Sequence, residues 1–307
     1  MNVTVHQRPG VYSAYDASSV VSGSGAGKQV GLVAVNAKAA ANEVKIVTSY
    51  DGAVNAFGQG TMAELVRLAL KNGAGAVAAV PIAGGEGYAD GFAALEGLED
   101  ITAVICDSTD GDVQKAMKQS VETSSANRRE RIAVAAGGAG ETVDQLIARA
   151  KALNHERVVL VAPGGVNQNG EAADGLGVAA AVAGAIAGES DPAVPLGGAV
   201  LTGLYGLSGR YSDGEMDRLI LGGVTPVESL AGTIGVVRGV TTRTTTGEAA
   251  DATWRDLTTI RIVDDVIPTL RRALRTKFQR AKNTAQSRGA IRAQVVLELE
   301  NKKAREI

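Results

Sequence analysis

The sequence predicts an α/β protein with a parallel-sheet α/β core domain, a smaller C-terminal α+β domain, and extended N- and C-terminal arms. Short apolar runs alternate with helix-patterned segments through the middle half of the chain. The runs are apolar on both faces, as in strands of a sheet covered by helices on either side. Beyond about residue 205, β-branched stretches and a basic amphipathic segment replace this alternation. The change in pattern predicts a second, different domain.

The core elements follow from hydrophobic periodicity. Uninterrupted apolar runs predict the strands Val30–Val35, Ala76–Ile82, Ile101–Cys106, Ile132–Ala136 and Val158–Ala162. Apolar residues at three- and four-residue spacing predict the helices Met62–Lys71, Asp90–Leu98, Asp112–Glu122, Thr142–Leu153, Leu176–Ala187 and Met216–Leu221.

The C-terminal domain is predicted to begin after a turn-rich region. We place the boundary near 205–215, where Gly and Ser are frequent. The β-branched stretches Thr233–Thr242 and Trp254–Val263 are predicted to be strands. The predicted division is an N-terminal arm at 1–27, the α/β domain at 28–210, the C-terminal domain at 211–290 and a C-terminal strand arm at 291–307.

Residues 266–297, which we call the basic segment, contain eight cations and no acid. The chain's formal net charge is −2, so the remainder carries −10 against the +8 of this segment. Asp264 and Asp265 suit the first turn of a helix, and Pro268 suits an early helical position. Apolar residues recur every three or four positions, at Ile267, Leu270, Leu274, Phe278 and Ala281. The basic segment therefore predicts a helix with one apolar side and one cationic side.

Both ends of the chain show strand-like alternation. Gln294–Glu300 reads Q-V-V-L-E-L-E, which places Val295, Leu297 and Leu299 on one face of a strand. Such a strand needs a partner for its backbone groups. At the other end Val3 and Val5 alternate. Its composition fits either a disordered tail or an arm that pairs with a neighbour.

Composition limits the class of protein. With 45% hydrophobic and 21% charged residues among 307, the chain has the balance of a soluble globular protein. The longest uncharged run, Pro192–Gly209, is rich in glycine and makes a poor membrane helix. The N-terminus lacks the apolar core of a signal peptide, and the lone Cys106 excludes an internal disulfide. We expect a protein made in a reducing cytoplasm.

Glycine-rich runs raise the alternative of a ligand-binding protein or enzyme. Gly23–Lys28 resembles a phosphate-binding loop, but Ser22 replaces its first glycine and Gln29 its metal-binding Ser or Thr. Gly137–Gly140 follows a strand, and its amides could face a phosphate, but a tight βα turn explains the same residues and is the favoured interpretation. Gly164–Asn167 follows a strand and could be a ligand loop, but no partner residue completes a mechanism.

No catalytic, metal or cofactor site is predicted. The only histidines, His6 and His155, lie in different parts of the sequence and suggest no metal cluster or Cys–His pair. The grouped carboxylates fall in turns and at helix ends, where solvation and capping account for them. An enzyme that uses the glycine turns remains the alternative.

The basic segment suits phosphate, anionic lipid or an acidic protein surface. Aromatic residues make up only 3% of the chain, and Phe278 is needed on the apolar side of the helix. Few residues are then available to stack on bases. An acidic protein surface explains the segment without them.

Several runs resemble the C-terminal domain of contractile phage tail sheath proteins and of related contractile injection systems. They are Gly223–Thr225, Gly235–Thr242, Trp254–Leu257, Ile262–Asp265 and the helix to Phe278. Arg8–Tyr12 is similar to the family's N-terminal pattern, and Ala183–Ala187 with Pro192 and Pro195 resembles its central segment. The resemblance touches most of the chain and is most specific in 222–299. The chain is short for the family, which implies few or no protruding domains.

The resemblance implies a structural subunit rather than an enzyme. Such subunits polymerise as stacked hexameric rings around an inner tube and contract to drive it through a target envelope. The implied partners are further copies, the inner tail tube protein, and baseplate and tail terminator proteins, with no cofactor, nucleic acid or membrane insertion. The implied location is a virion tail or contractile particle assembled in the bacterial host cytoplasm.

The resemblance also implies two sets of contact residues. A tube-facing helix maps onto 266–283 and gives the candidates Arg271, Arg272, Arg275, Lys277 and Arg280. Terminal arms that add strands to neighbouring subunits map onto Val3, Val5, Val295, Leu297 and Leu299.

Overall fold

A computed structural model of the chain describes residues 28–304. Its strands are β1 (Gln29–Val35), β2 (Lys45–Val47), β3 (Ala76–Ile82), β4 (Ile101–Cys106), β5 (Ile132–Ala136), β6 (Val158–Ala162), β7 (Val200–Leu201), β8 (Val224–Leu230), β9 (Thr233–Val236), β10 (Thr245–Thr246) and β11 (Ala249–Ala250). Its α-helices are α1 (Tyr50–Phe57), α2 (Thr61–Lys71), α3 (Tyr88–Glu96), α4 (Gly111–Ala126), α5 (Val143–Leu153), α6 (Leu176–Gly188), α7 (Asp213–Leu221), α8 (Leu257–Phe278) and α9 (Ala285–Lys303). A 3-10 turn at Gly85–Gly87 precedes α3.

The predicted α/β class is confirmed by a large, mostly parallel sheet. Its strand order is β2-β3-β1-β4-β5-β6-β8-β9-β7. The pairs from β3 through β8 are parallel, whereas β2, β9 and β7 each pair antiparallel. The five apolar runs form β1, β3, β4, β5 and β6 within one residue of the predicted bounds. Strands buried on both faces are therefore the elements that the sequence predicts best.

Helices cover both faces of the sheet. Leu32 and Ala34 of β1 belong to one apolar cluster with residues of α1, α2, α6 and the start of α8. Val33, between them, belongs to a second cluster with residues of α3, α4, α5 and α7. Successive strand residues point to opposite faces, so one strand supplies both cores. The chain thus forms three layers, helices, sheet and helices.

Capping side chains set several helix starts. Thr142 accepts from the Gln145 backbone N–H, and the Gln145 side chain accepts from the Thr142 N–H. Ser212 and Glu215 make the same reciprocal contacts at the start of α7. These two capping boxes satisfy N–H groups that have no partner within a helix.

The sheet continues past the predicted domain boundary near 205–215. Strand β8 pairs with β6, and β9 then joins β8 to β7. Residues assigned to the two domains therefore share one sheet. The division of the chain into 1–27, 28–210, 211–290 and 291–307 stays a prediction.

The predicted strand Trp254–Val263 is wrong, because α8 already begins at Leu257. Leu257, Ile260 and Arg261 are buried at helical spacing, and the two apolar residues join the cluster beneath the sheet. Asp264 and Asp265 consequently lie within the helix and not at its start. Pro268 also lies inside α8, where the Thr269 hydroxyl donates to the Asp265 carbonyl at 2.8 Å. Of the stretch Thr233–Thr242, only Thr233–Val236 is a strand.

The predicted C-terminal strand is also wrong for this structure. Val295, Leu297 and Leu299 lie in α9. Thr284 caps this helix by accepting from the Ser287 N–H, and Gln294 donates to Glu298 one turn later. A helix satisfies its own backbone groups without a partner strand. The predicted N-terminal arm with Val3 and Val5 lies outside the described residues.

Helices α2 and α6 pack with almost no space between their backbones. A Cβ added to Gly184 would lie 2.3 Å from the Ala69 carbonyl oxygen. Farther along, a Cβ on Gly188 would lie 2.8 Å from the Cα of Gly73. The glycines of α6 therefore set its distance from α2 and the depth of that helical layer.

Replacement of Gly184 by Val tests this packing. We expect the free energy of unfolding to fall by about 1–3 kcal/mol, because the contacting atom is backbone that cannot rotate away. The measurement is urea unfolding followed by circular dichroism. Gly177→Ala is the control in the same helix, since its Cβ would meet only side-chain methyls, of Leu68 at 3.2 Å and of Leu204 at 3.7 Å. Equal stability of the two variants would contradict the packing argument.

Candidate functional site on helices α8 and α9

Helices α8 and α9 form an antiparallel hairpin. Lys277 Nζ near the end of α8 donates to Gln294 Oε1 of α9 at 2.7 Å. Lys302 near the end of α9 pairs with Asp265 of α8. The basic segment therefore spans the second part of α8, the connection and the first part of α9.

All five predicted tube-facing cations are exposed, but their surroundings differ. Arg271 pairs with Glu130, which lies before β5. Lys277 is engaged by Gln294. Among residues 28–304, Arg272, Arg275 and Arg280 have no acidic partner. The structure thus separates three cations that face solvent from two that contact the chain itself.

The far end of the hairpin is also cationic. Lys282, Arg288 and Arg292 are exposed there, and no acid lies between residues 266 and 297. Cations at this density, without interspersed carboxylates, attract an acidic surface. Their exposure makes the attraction weaken with salt.

The first part of α8 is anchored by a buried ion pair. Arg157, at the start of β6, donates two hydrogen bonds of 2.7 Å each to the carboxylate of Asp264. The two side chains are 12% and 16% exposed. Burial raises the pKa of Asp264 above its ordinary value, and the Arg157 guanidinium acts in the opposite direction. The bidentate geometry fixes the direction of α8 relative to the sheet.

A second arginine fixes α8 to the α6 layer. Arg261 is 5% exposed and donates to the backbone carbonyls of Glu189 at 3.0 Å and Val194 at 3.3 Å. Sequence reasoning missed Arg157 and Arg261. The helical spacing of Leu257, Ile260 and Asp264 could have indicated that this stretch is a helix. Its β-branched composition favoured a strand instead.

A cavity of about 490 Å³ lies beside this anchor. Its wall includes Lys28, Arg131, Arg261 and Asp264. Burial lowers the pKa of Arg131 to about 10, and it also lowers the pKa of Lys28. The cavity sits at the amino ends of β4 and β5. Ligands of open α/β sheets bind at the opposite, carboxyl edge.

At that carboxyl edge, the chain's own carboxylates occupy the glycine turn. The Gly138 N–H donates to Glu141 Oε2 at 3.0 Å, and the Ala139 N–H donates to Asp174 Oδ1 at 2.7 Å. These are the amides that a phosphate would need, and two carboxylates beside them repel an anion. The second turn is closed by backbone bonds, since the Gly165 N–H donates to the Asp174 carbonyl. The geometry disfavours the ligand-binding alternative at both turns.

The part of the chain from 28 to 304 has no group of three or more His, Cys, Asp or Glu residues arranged to hold a metal ion. Within the same range, no helix has the length and apolar character needed to cross a membrane.

Comparison with known families gives one match over half of the chain. Residues 82–242 match the phage tail sheath protein central domain. This range runs from the end of β3 to beyond β9 and so includes most of the parallel sheet. No curated protein sequence matches the chain.

Several solved structures similar to this chain are of sheath proteins. The sheath tail protein of Desulfitobacterium hafniense is 14% identical with a TM-score of 0.74, over 96% of this chain and 89% of that one. The contracted helical sheath of the anti-feeding prophage is 18% identical with a TM-score of 0.70, over 98% and 85%. The contracted PVC sheath of an extracellular contractile injection system is 18% identical with a TM-score of 0.66, over 97% and 82%.

Loss of the buried anchor should cost much more stability than loss of an exposed ion pair. We expect Asp264→Asn to lower the free energy of unfolding by about 2–4 kcal/mol, because Arg157 keeps a charge without its counter-charge. The matched control is Arg238→Gln, whose pair with Asp256 is 53% and 45% exposed. That control should lose less than about 1 kcal/mol. Similar losses in chemical denaturation would show that Asp264 does not anchor α8.

Proposed function

This chain belongs to the phage tail sheath protein family, and we propose that it polymerises as stacked hexameric rings around an inner tail tube and contracts to drive that tube through a target envelope. The observation that carries the proposal is the exposed basic segment, residues 266–297, which contains eight cations and no acid and lies on the α8–α9 hairpin of a sheath fold. A three-layer body with such a hairpin fits a subunit that assembles through the body and binds a second protein through the hairpin. The body supplies the lattice unit, and the hairpin supplies the contact with the tube.

The tube contact of this proposal rests on exposed charge. Arg272, Arg275 and Arg280 face solvent and lack acidic partners among residues 28–304, so they are available to an acidic tube surface. Arg271 and Lys277 would first have to leave Glu130 and Gln294. Exposed ion pairs contribute about 0–1 kcal/mol each and are screened by salt. Several of them together can hold a sheath in place and still release it during contraction.

Contacts between subunits are assigned to the terminal arms. Val3 and Val5 at one end and Val295, Leu297 and Leu299 at the other would join sheets of neighbouring copies. Support comes from Leu297 and Leu299, which are 51% and 44% exposed and thus open to a partner. Head-to-tail contacts of this kind build open helical arrays.

The other proposed partners are baseplate and tail terminator proteins, and the proposed location is a virion tail or contractile particle assembled in a bacterial cytoplasm. Similar chains occur in a contracted sheath and in a baseplate of the anti-feeding prophage. In this proposal the subunit performs mechanical work and no catalysis. It needs no cofactor, nucleic acid or membrane insertion.

Charge reversal on the hairpin tests the tube contact. Arg272, Arg275 and Arg280 are changed together to Glu, which replaces attraction to an acidic surface by repulsion. Sedimentation with purified inner tubes should be lost, whereas electron microscopy should still show self-assembled sheath cylinders. The control reverses three exposed cations elsewhere, Lys115, Lys151 and Arg210. Retained tube binding by the hairpin variant would reject this contact.

Removal of the C-terminal arm tests the contacts between subunits. A chain truncated after Arg292 should form no cylinders in negative-stain microscopy while keeping the unfolding transition of its α/β body. A second variant changes Leu297 and Leu299 to Ser in the full chain and should weaken assembly. Its control is Val296→Ser, which is 53% exposed but has the opposite parity in a strand. Abundant cylinders from the truncated chain would rule out the arm.

A further inference from the structure

Helix α9 leaves apolar side chains in solvent and buries a polar one. Val296, Leu297 and Leu299 are 53%, 51% and 44% exposed, whereas Gln294 is 8% exposed. A helix that docks permanently on its neighbour shows the reverse pattern. Among residues 28–304, neither buried apolar cluster includes a residue of α9. Little apolar burial therefore holds this helix on α8.

The contacts that do hold α9 are polar and partly solvated. Gln294 accepts from Lys277 and donates to Glu298, both at 2.7 Å. Lys302 pairs with Asp265, and their side chains are 15% and 32% exposed. The Lys302–Asp265 pair weakens with salt, because both side chains remain partly exposed. The hairpin can thus open without disturbing the core.

The sequence of α9 also suits a second conformation. Gly289 lies in the helix interior, and Val295 and Val296 are β-branched, so the segment has a modest helix propensity. In an extended chain Val295, Leu297 and Leu299 would share one face, whereas in the helix Leu297 lies on the side opposite to Val295 and Leu299. The extended form gathers apolar side chains that the helix leaves apart.

We infer that α9 is a latch, docked on α8 in the unassembled subunit and released before subunits join. While docked, it holds Val295, Leu297 and Leu299 in a helix, where they cannot line up as one face of a strand beside a second copy of this chain. This inference rests on the proposed function, because the event that follows release is polymerisation.

Lys277 links the latch to the tube contact. Its ammonium group holds Gln294, and it is also one of the cations offered to an acidic surface. A carboxylate that binds Lys277 competes with the Gln294 amide oxygen and weakens the latch. Binding of an acidic partner along α8 therefore favours release of α9 beside it. Subunits would then polymerise where the partner is present.

A covalent tether tests the latch in the full chain. Lys277→Cys and Gln294→Cys are combined with Cys106→Ala and joined by a short bismaleimide. We expect the tethered protein to lose cylinder formation in light scattering and electron microscopy. The same double variant capped with N-ethylmaleimide is the control and should assemble. Assembly of the tethered protein at the rate of the capped one would overturn the latch.

Hydrogen exchange provides a readout that does not depend on assembly. Amides of α9 should exchange through local opening while those of β5 and β6 stay protected. Lys302→Ala should speed α9 exchange about 1.5- to 5-fold, as expected for a partly exposed ion pair. Lys303→Ala, an exposed neighbour, should leave it unchanged. If the amides of α9 are as protected as those of β5 and β6, the latch is wrong. The proposed function is tested separately, because it is rejected if the unmodified chain forms no cylinders.

Discussion

The attachment of α8 to the sheet determines where the functional surface lies. One continuous helix from Leu257 to Phe278 begins in the core and ends in solvent. Arg157 fixes it through Asp264, at a point between these two parts. A helix transmits its direction along its length, so this pair sets the orientation of the α8 cations, which lie about two to four turns beyond it. Arg271 adds a second contact with the body through Glu130.

The strands and helices of the three-layer body are predicted well, because each is encoded by a pattern of neighbouring residues. Strands buried on both faces are short apolar runs, and the helices between them repeat every three or four residues. The start of α8 could not be predicted in the same way. Thr258, Ile260 and Ile262 suit a strand by composition, and only contact with the layer beneath the sheet selects the helix. Arg157 pairs with Asp264 across 107 positions of sequence, and no local pattern reveals such a contact.

The conformation of the C-terminal segment differs from the prediction for another reason. Its alternation of Val295, Leu297 and Leu299 predicts a strand, but these residues lie in helix α9, which contacts α8 through Gln294 and Lys277. Local preference and observed conformation disagree, and the disagreement leaves aliphatic side chains in solvent. Conflicts of this kind concentrate at functional sites. The cations of the segment were predictable because their exposure follows from one charged face of a helix.

The proposed contraction needs contacts that stay fixed and contacts that change partner, and the two kinds lie in different parts of the chain. The α2–α6 contact leaves no room for a Cβ at Gly184, and the sheet is buried on both faces, so the body moves as one unit. Beyond Asp264, within residues 28–304, the contacts of the hairpin include the pairs Arg271–Glu130 and Lys302–Asp265 and the hydrogen bond of Lys277 to Gln294. In the proposed function, these are the contacts of the described residues that change partner. The Arg157–Asp264 pair lies between them and the part of the chain that holds its shape.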